Sequence, residues 1–184
     1  MDRLPFRAMG ALVRTAAPVL AVLVLLAGCG SDGVPAKTWA THVCQALKPW
    51  SGTITKLTRQ TQTQMQKVST PDAAKVTLID LLDSETKATD KARDRLLAAG
   101  VPDVDDGKKI ADQFTDALTS ARNSYRTARD AIRKLPTTDA KTFYHGVRDA
   151  IDTLNTQYDA GALDTTQVHS EPLQKAFDEV PQCQ

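Results

Sequence analysis

Apolar residues recur at steps of three and four through most of the chain, the spacing that places side chains on one face of an α-helix. The most regular series runs from Ala111 to Leu135 and predicts a helix that Pro136 closes. Similar series predict helices over residues 39–68 and 71–99, and one that starts at residue 138 or 139 and ends at Gly161; a shorter series covers residues 170–180. No segment alternates apolar and polar side chains as a half-buried strand does. The pattern therefore predicts an all-α protein.

Capping residues and prolines define the ends of these helices. Thr70 and Pro71 form an N-cap followed by a proline at the first helical position, and Gly100 is placed to stop the same helix. Pro49 falls inside the first series, but the apolar positions keep their phase on both sides of it. We therefore predict one kinked helix there rather than two.

Short connections between long helices favour antiparallel neighbours. We predict an antiparallel up-down four-helix bundle, with residues 170–180 forming a short C-terminal fifth helix below the shorter fourth helix. Four antiparallel passes return the chain to the end at which the first helix begins. The start of the first helix, the loop at residues 99–107 and the C-terminus should therefore lie together, with the turns near residues 70 and 137 at the opposite end.

The N-terminal residues have a different character. Three arginines and a short apolar run over residues 16–27 lead into Leu26-Ala27-Gly28-Cys29. A membrane-spanning helix needs roughly 20 apolar residues, so this shorter run has the layout of a secretory signal. The four residues resemble the lipobox of bacterial lipoproteins at every position. The resemblance implies cleavage before Cys29 and a diacylglycerol or acyl lipid on that residue; the alternatives are an ordinary signal peptide or an uncut signal anchor.

This interpretation divides the chain into a cleaved signal peptide at residues 1–28, a lipidated tether at residues 29–38 and a bundle domain at residues 39–184. It places the protein on the extracytoplasmic face of the cell membrane, with no cofactor other than the lipid. The whole chain is similar to small helical lipoproteins of the actinobacterial envelope, which imply no activity for any residue. Without residues 1–28, 20 basic and 21 acidic residues remain, a balance that argues against a nucleic-acid partner.

Two of the three cysteines remain once Cys29 is assigned to the lipid. An exported chain enters an oxidising space, in which Cys44 and Cys183 would ordinarily pair. Metal binding is the alternative, but two cysteines so far apart lack the spacing of zinc ligands. The bundle topology brings the two residues to the same end, and we therefore predict a disulfide between them.

A basic stripe follows the core positions of the third helix, and it consists of Arg122, Arg126, Arg129 and Arg133. If the second and third helices pair about the turn at residues 100–105, Asp83 lies near Arg122 and Asp80 lies near Arg126. We interpret the stripe as one side of a set of interhelical ion pairs. The alternative is a docking strip for an anionic head group or a wall polymer.

The remaining candidate residues have structural interpretations. Trp39 and Trp50 share a helix face and are expected in the core near the disulfide, the alternative being an aromatic surface for a glycan or a partner. The acids of residues 103–107 do not match a calcium loop, and we interpret them as a capped helix start. His145 and Asp149 are expected to form a surface pair rather than to bind a metal ion. The sequence assigns no metal ligand and no catalytic residue.

The sequence contains no zinc-protease, phosphate-loop or nucleophile-elbow pattern. We therefore expect a non-catalytic interaction module at the cell envelope, with another envelope protein or a wall polymer as its partner. A helical-bundle carrier or sensor for a small apolar ligand is the alternative, and an uncharacterised envelope enzyme is a third possibility. An exposed apolar surface would favour the first hypothesis, an enclosed cavity the second, and a cleft with convergent titratable groups the third.

Overall fold

A computed structural model describes residues 33–161 and 169–184 of the protein. The predicted signal peptide and Cys29 lie outside these ranges. Every regular element within them is helical, in the order α1 (Ala36–Met65), α2 (Pro71–Ala98), α3 (Gly107–Lys134), α4 (Ala140–Ala160), α5 (Glu171–Glu179) and a 3-10 turn (Pro181–Cys183). None of the described helices is long and apolar enough to span a membrane. The predicted fold class, an all-α bundle with a short fifth helix and one disulfide, is confirmed.

Consecutive long helices pack as antiparallel neighbours. α2 lies between α1 and α3, and α4 packs along the second half of α3. α5 packs on the first part of α1, where Leu173 and Phe177 join Phe114 of α3 in the core. α4 and α5 therefore share the fourth position of the bundle, as the shortness of the fourth helix predicted.

The core consists of two apolar clusters stacked along the bundle. One contains Val43, Leu96 and Phe114 at the end where α1 begins, and the other contains Leu82 and Ile132 toward the opposite end. These side chains are at most 5% exposed. Full burial of such a side chain contributes roughly 1.5–3 kcal/mol relative to exposure, so the two clusters supply the main stabilisation of the fold.

The tryptophans of α1 hydrogen-bond to α2 and to the loop that follows it. Trp39 is 1% exposed, and its Nε1–H donates to the carbonyl of Gly100 at 2.9 Å. Trp50 is half-buried, and its Nε1–H donates to Thr89 Oγ1 at 3.0 Å. Buried indoles ordinarily find such a partner for their N–H group. The expectation of core packing is confirmed for Trp39, while Trp50 packs against both apolar clusters and is partly buried.

Local chemistry explains most helix ends. The Ala73 N–H donates to Thr70 Oγ1 at 3.3 Å at the start of α2, and the Thr142 N–H donates to Asp139 Oδ1 at 2.8 Å at the start of α4. Gly100 follows α2 with a φ of 74°, in the left-handed region that favours glycine. α1 passes through Pro49 without a break, as predicted, and begins at Ala36 rather than Trp39.

The start of α3 differs from the prediction. Asp106 precedes the helix with a φ of 57°, and its side chain makes no capping hydrogen bond. A capping side chain ordinarily reaches the first-turn N–H groups from an extended backbone, so a left-handed Asp106 is not arranged as a cap. Asp106 is therefore not the capping residue that the sequence predicted. Asp106 instead forms the sharp turn into Gly107.

The register between α2 and α3 also differs from the prediction. Asp83 faces Arg129 rather than Arg122, a displacement of seven residues or two helical turns. The end of α2 consequently lies opposite Phe114, so the first two turns of α3 extend beyond α2. The loop at residues 99–106 covers them, and Gly107 packs so closely on it that a Cβ would clash with the Pro102 carbonyl oxygen. The prediction assumed a symmetric hairpin and missed this extension.

Candidate functional site

The N-terminal segment joins the bundle at the loop between α2 and α3. The Val34 N–H donates to the Val101 carbonyl at 2.7 Å, and the Asp103 N–H donates to the Val34 carbonyl at 2.8 Å. Gly33 lies directly against Asp103, because a Cβ on Gly33 would be 2.8 Å from the Asp103 Cα. We call this end of the bundle, defined by Val34, Val101 and Asp103, the tether end.

The opposite end of the bundle, which we call the far end, joins the two remaining turns. Lys75 Nζ donates to the Leu135 carbonyl at 2.8 Å. Thr137 Oγ1 donates to Asp72 Oδ1 at 2.6 Å. These contacts link the start of α2 to the connection between α3 and α4, so the predicted grouping of turns at the two ends of the bundle is confirmed.

The predicted disulfide is present. Cys44 of α1 and Cys183 of the 3-10 turn are bonded, with their Cα atoms 5.1 Å apart and a separation of 139 positions in the sequence. Beyond the bridge, Lys48 Nζ donates to the carbonyl of Gln184. The C-terminus is therefore held along α1 on the side that faces α5.

An open cleft of about 540 Å³ lies beside the disulfide, between α1 and α5. Its apolar lining consists of the disulfide itself with Val43, Leu47, Phe114 and Phe177. Phe114 and Phe177 stack with their ring centroids 6.1 Å apart. The rim is polar and is formed by Gln174, Asp178 and Gln184. An apolar floor with a polar rim is the composition of many binding surfaces.

A buried carboxylate lies in the middle of the bundle. Glu85 of α2 is 4% exposed, and it accepts a hydrogen bond from Thr58 Oγ1 of α1 at 3.2 Å. Tyr125 of α3 and Tyr158 of α4 lie near enough to interact with its charge. All four long helices therefore contribute a polar side chain to this point.

Burial dominates the proton affinities in this cluster. Removal from water raises the pKa of Glu85 to about 7, and the hydrogen bond from Thr58 opposes that rise. Burial also raises the pKa of Tyr125, and the Glu85 charge adds to the effect. The Tyr125 hydroxyl is hydrogen-bonded to Tyr158, whose own pKa burial likewise raises. Glu85 therefore changes its charge near neutral pH, while the two phenols stay protonated there.

Most of the arginine stripe is engaged in ion pairs. Arg129 lies 2.7 Å from Asp83 and 2.9 Å from Asp130. Arg122 lies 3.4 Å from Asp90 rather than near Asp83 as predicted. Arg133 pairs with Asp130 at 3.3 Å. The interpretation as interhelical pairs is thus correct in kind, while the partners follow the displaced register.

Two of the residues named for that interaction remain at the surface. Arg126 and Asp80 are both exposed, and within the described part of the chain neither has an ion pair. The predicted contact between them is therefore wrong, for the same reason of register. His145 Nδ1 lies 3.1 Å from Asp149 Oδ2 on the exposed face of α4, so the predicted surface pair is confirmed.

Comparison with known proteins adds no precedent for these features. No protein-family model matches the chain, and neither the curated proteins nor the solved structures gave a significant match. Among the described residues no group of three or more histidine, cysteine, aspartate or glutamate side chains is arranged to hold a metal ion. The candidate site is therefore interpreted from its own geometry.

Sequence reasoning missed the two features that stand out in the structure. The cleft was missed because it arises where α5 packs on α1, and the position of a short helix is not encoded in its own apolar pattern. The buried charge had a readable signal, because Glu85 occupies a position on the same helix face as Leu78, Leu82 and Leu96. A carboxylate at such a position predicts a raised pKa.

Proposed function

We propose that the protein is a non-catalytic interaction module, anchored by a lipid on Cys29 at the extracytoplasmic face of the cell membrane. In this proposal the cleft between α1 and α5 receives an apolar segment of another envelope protein. Two features support the location: the lipobox-like sequence before Cys29, and the disulfide, since disulfides persist in oxidising compartments outside the cytosol.

The cleft between α1 and α5 is the main structural support for an interaction with a partner. Its floor presents Leu47 and Phe177, both only half-buried, beside the fully buried Phe114. Aromatic side chains in a recessed apolar floor are typical anchoring points at protein interfaces. The disulfide on one wall limits how far α1 and the C-terminus can separate, so the cleft is preformed and a partner need not order it.

A protein partner is favoured over a wall polymer by the state of the arginines. An anionic polymer would need unpaired cations, but Arg122, Arg129 and Arg133 already face aspartates. Arg126 alone offers little attraction, because an exposed single charge interacts weakly in water. The cleft supplies a more specific surface than the stripe does.

Site-specific photo-cross-linking in intact cells tests the interaction. A photoreactive amino acid replaces Asp178, an exposed rim residue of the cleft, or Gln62, an exposed residue of α1 outside the cleft. We expect one discrete adduct from position 178 and none of that mass from position 62. The same adduct should disappear when Leu47→Glu places a charge on the cleft floor.

The Leu47→Glu variant needs a control for correct folding. Circular dichroism should show unchanged helical content in Leu47→Glu, because Leu47 is only half-buried. Equal adducts from positions 178 and 62, or an adduct that survives Leu47→Glu in the folded protein, would show that the cleft is not the interaction site.

A carrier of a small apolar ligand is the second candidate function. The volume of about 540 Å³ supports it, because ligand pockets usually measure about 300–1,000 Å³. Native mass spectrometry of protein purified from membranes separates the two candidates. A bound small molecule that Leu47→Glu releases would favour the carrier, whereas a ligand-free protein that still cross-links at position 178 favours the interaction module.

A further inference from the structure

The tether end is held close to the proposed lipid by a very short piece of chain. The bundle fixes the backbone from Gly33 onward through the two hydrogen bonds of Val34. Only four residue steps separate Gly33 from Cys29, and a fully extended chain covers about 14 Å in that number of steps. The tether predicted from the sequence, which extended to residue 38, would have allowed about 30 Å.

At its full extension of about 14 Å, the segment between Cys29 and Gly33 is not much longer than the polar layer of the bilayer is thick. The polar head-group layer of one leaflet is roughly 5–7 Å thick. An acylated Cys29 would lie at the boundary of that layer, so the point where Gly33 meets the bundle cannot be far above it. The lipid anchor would therefore restrict which surface of the bundle faces the membrane.

The tether end, which the short connection would hold near the membrane, carries exposed apolar side chains. Val101 is 42% exposed and accepts the hydrogen bond from Val34, so it lies beside the exit of the tether. Leu97, in the last turn of α2, is 53% exposed. The other strongly exposed large apolar side chains of the described residues, Val76 and Tyr144, belong to the far end of the bundle.

We propose, on the basis of the proposed lipid anchor, that the bundle stands on the bilayer by its tether end, with Leu97 and Val101 among the lipid head groups. The interaction is apolar rather than electrostatic. Lys108 and Lys109 at this end are offset by acids, since Lys108 already pairs with Asp112 at 2.7 Å and residues 103, 105 and 106 are aspartates. Contact should therefore need neither anionic lipid nor low salt.

This orientation would fix the height of the cleft above the membrane. Leu47 lies 11 residues into α1 from its start at Ala36, and α-helices rise by about 1.5 Å per residue. The cleft would therefore open roughly 15–20 Å above the tether end, facing along the membrane plane. Such a position suits a partner that is itself attached to the same membrane.

Fluorescence quenching by brominated lipids tests the orientation in the full acylated protein. Leu97→Trp places an indole at the tether end, and Val76→Trp places one at the far end as a matched control. Each variant is reconstituted into phosphatidylcholine vesicles carrying bromine on the acyl chains, and the quenching of the unsubstituted protein is subtracted. We expect additional quenching for Leu97→Trp alone, unchanged by added salt or by phosphatidylglycerol.

A longer tether supplies a second variant. A flexible insertion of 12 glycine and serine residues after Ser31 keeps the acylation but lowers the effective concentration of the end face at the bilayer. We expect the quenching of Leu97→Trp to fall severalfold in this background. Unchanged quenching would mean that the short tether does not cause the orientation, and would overturn that part of the inference.

Failure of the lipid anchor and failure of the orientation give different results. Mass spectrometry and vesicle flotation report the anchor independently of quenching. Acylated, floating protein without quenching at position 97, or with equal quenching at positions 97 and 76, would overturn the orientation and leave the anchor standing. Quenching abolished by salt would overturn the apolar contact. Absence of the lipid on Cys29 would overturn both the anchor and the orientation that rests on it.

Discussion

At the residue scale, the burial of Glu85 has a clear consequence for stability, because it raises the pKa of this carboxyl group to about 7. Glu85 accepts a hydrogen bond from Thr58, its charge interacts with Tyr125 and Tyr158, and its side chain is almost completely buried. Hydroxyl groups stabilise a carboxylate less well than water does, so the protonated form is favoured in the folded state. The charge of Glu85 is therefore coupled to folding.

Replacing Glu85 with glutamine should flatten the dependence of stability on pH. The pKa of Glu85 is about 7 in the folded protein and 4.5 as the ordinary value, so its contribution to the free energy of unfolding is complete below pH 4.5. That contribution is lost as the pH rises to about 7 and stays constant above it. We expect Glu85→Gln to gain about 3 kcal/mol relative to the natural sequence between pH 4 and pH 8.

Urea unfolding at several pH values measures this difference. Asp80→Asn serves as the control, because Asp80 is an exposed carboxylate on the same helix. Its free energy of unfolding should follow that of the natural sequence across the whole pH range. A constant offset between Glu85→Gln and the natural sequence at every pH would contradict the assignment of a raised pKa to Glu85.

The arginines allow a second prediction at the residue scale. The Arg129 side chain is only 16% exposed and contacts Asp83 and Asp130, whereas Arg126 is exposed and without an ion pair among the described residues. Arg129→Gln should lower the free energy of unfolding by about 1 kcal/mol, and Arg126→Gln should change it by less than about 0.5 kcal/mol. Thermal and urea unfolding provide the measurement. A larger effect from Arg126→Gln would contradict the register between α2 and α3.

At the element scale, α5 depends on its attachments more than the long helices do. It has nine residues, a length that is marginal for an isolated helix, and it packs mainly on α1. Leu173 and Ala176 are its buried residues, and the disulfide follows it after one short turn. α5 and the disulfide therefore form one wall of the cleft together.

Removing the disulfide should loosen that wall selectively. The double variant Cys44→Ser, Cys183→Ser should lose roughly 3–5 kcal/mol of stability, because the bridge closes a loop of more than 100 residues. Hydrogen exchange measured by mass spectrometry should rise first in α5 and the C-terminal turn, with α2 and α3 still protected. The natural protein treated with reductant should behave in the same way. Uniform loss of protection across all helices would contradict this account.

The elements were predictable from sequence to the extent that local chemistry determines them. Apolar spacing located the five α-helices of residues 33–161 and 169–184, and the Thr70 cap and Gly100 stop appear where the residues indicated. The register of α2 against α3 was not predictable, because it depends on how the loop at residues 99–106 packs on Gly107. The cleft was hidden for a related reason, since it forms only when α5 docks on α1. Tertiary packing decides both, and no local pattern reports it.

At the scale of the whole molecule, the two ends of the bundle have different properties. The tether end carries the N-terminal segment, Val101 and the start of α3, and the C-terminal disulfide lies about two turns up α1. Among the described residues, the far end carries the turns before α2 and after α3, which are joined by contacts such as that between Thr137 and Asp72. A lipid at Cys29 would give this asymmetry a direction, with the far end pointing away from the membrane and the cleft open at its side.

The intact mass of the protein extracted from its native membranes is a direct measure of the proposed lipid anchor. We expect the mature chain to begin at Cys29, to carry the added mass of a diacylglycerol and an acyl lipid, and to contain one intramolecular disulfide. Cys29→Ala should remain unprocessed and should lack that mass. A mature chain that begins at another residue, or that begins at Cys29 without the lipid, would contradict the anchored interaction module proposed for this protein.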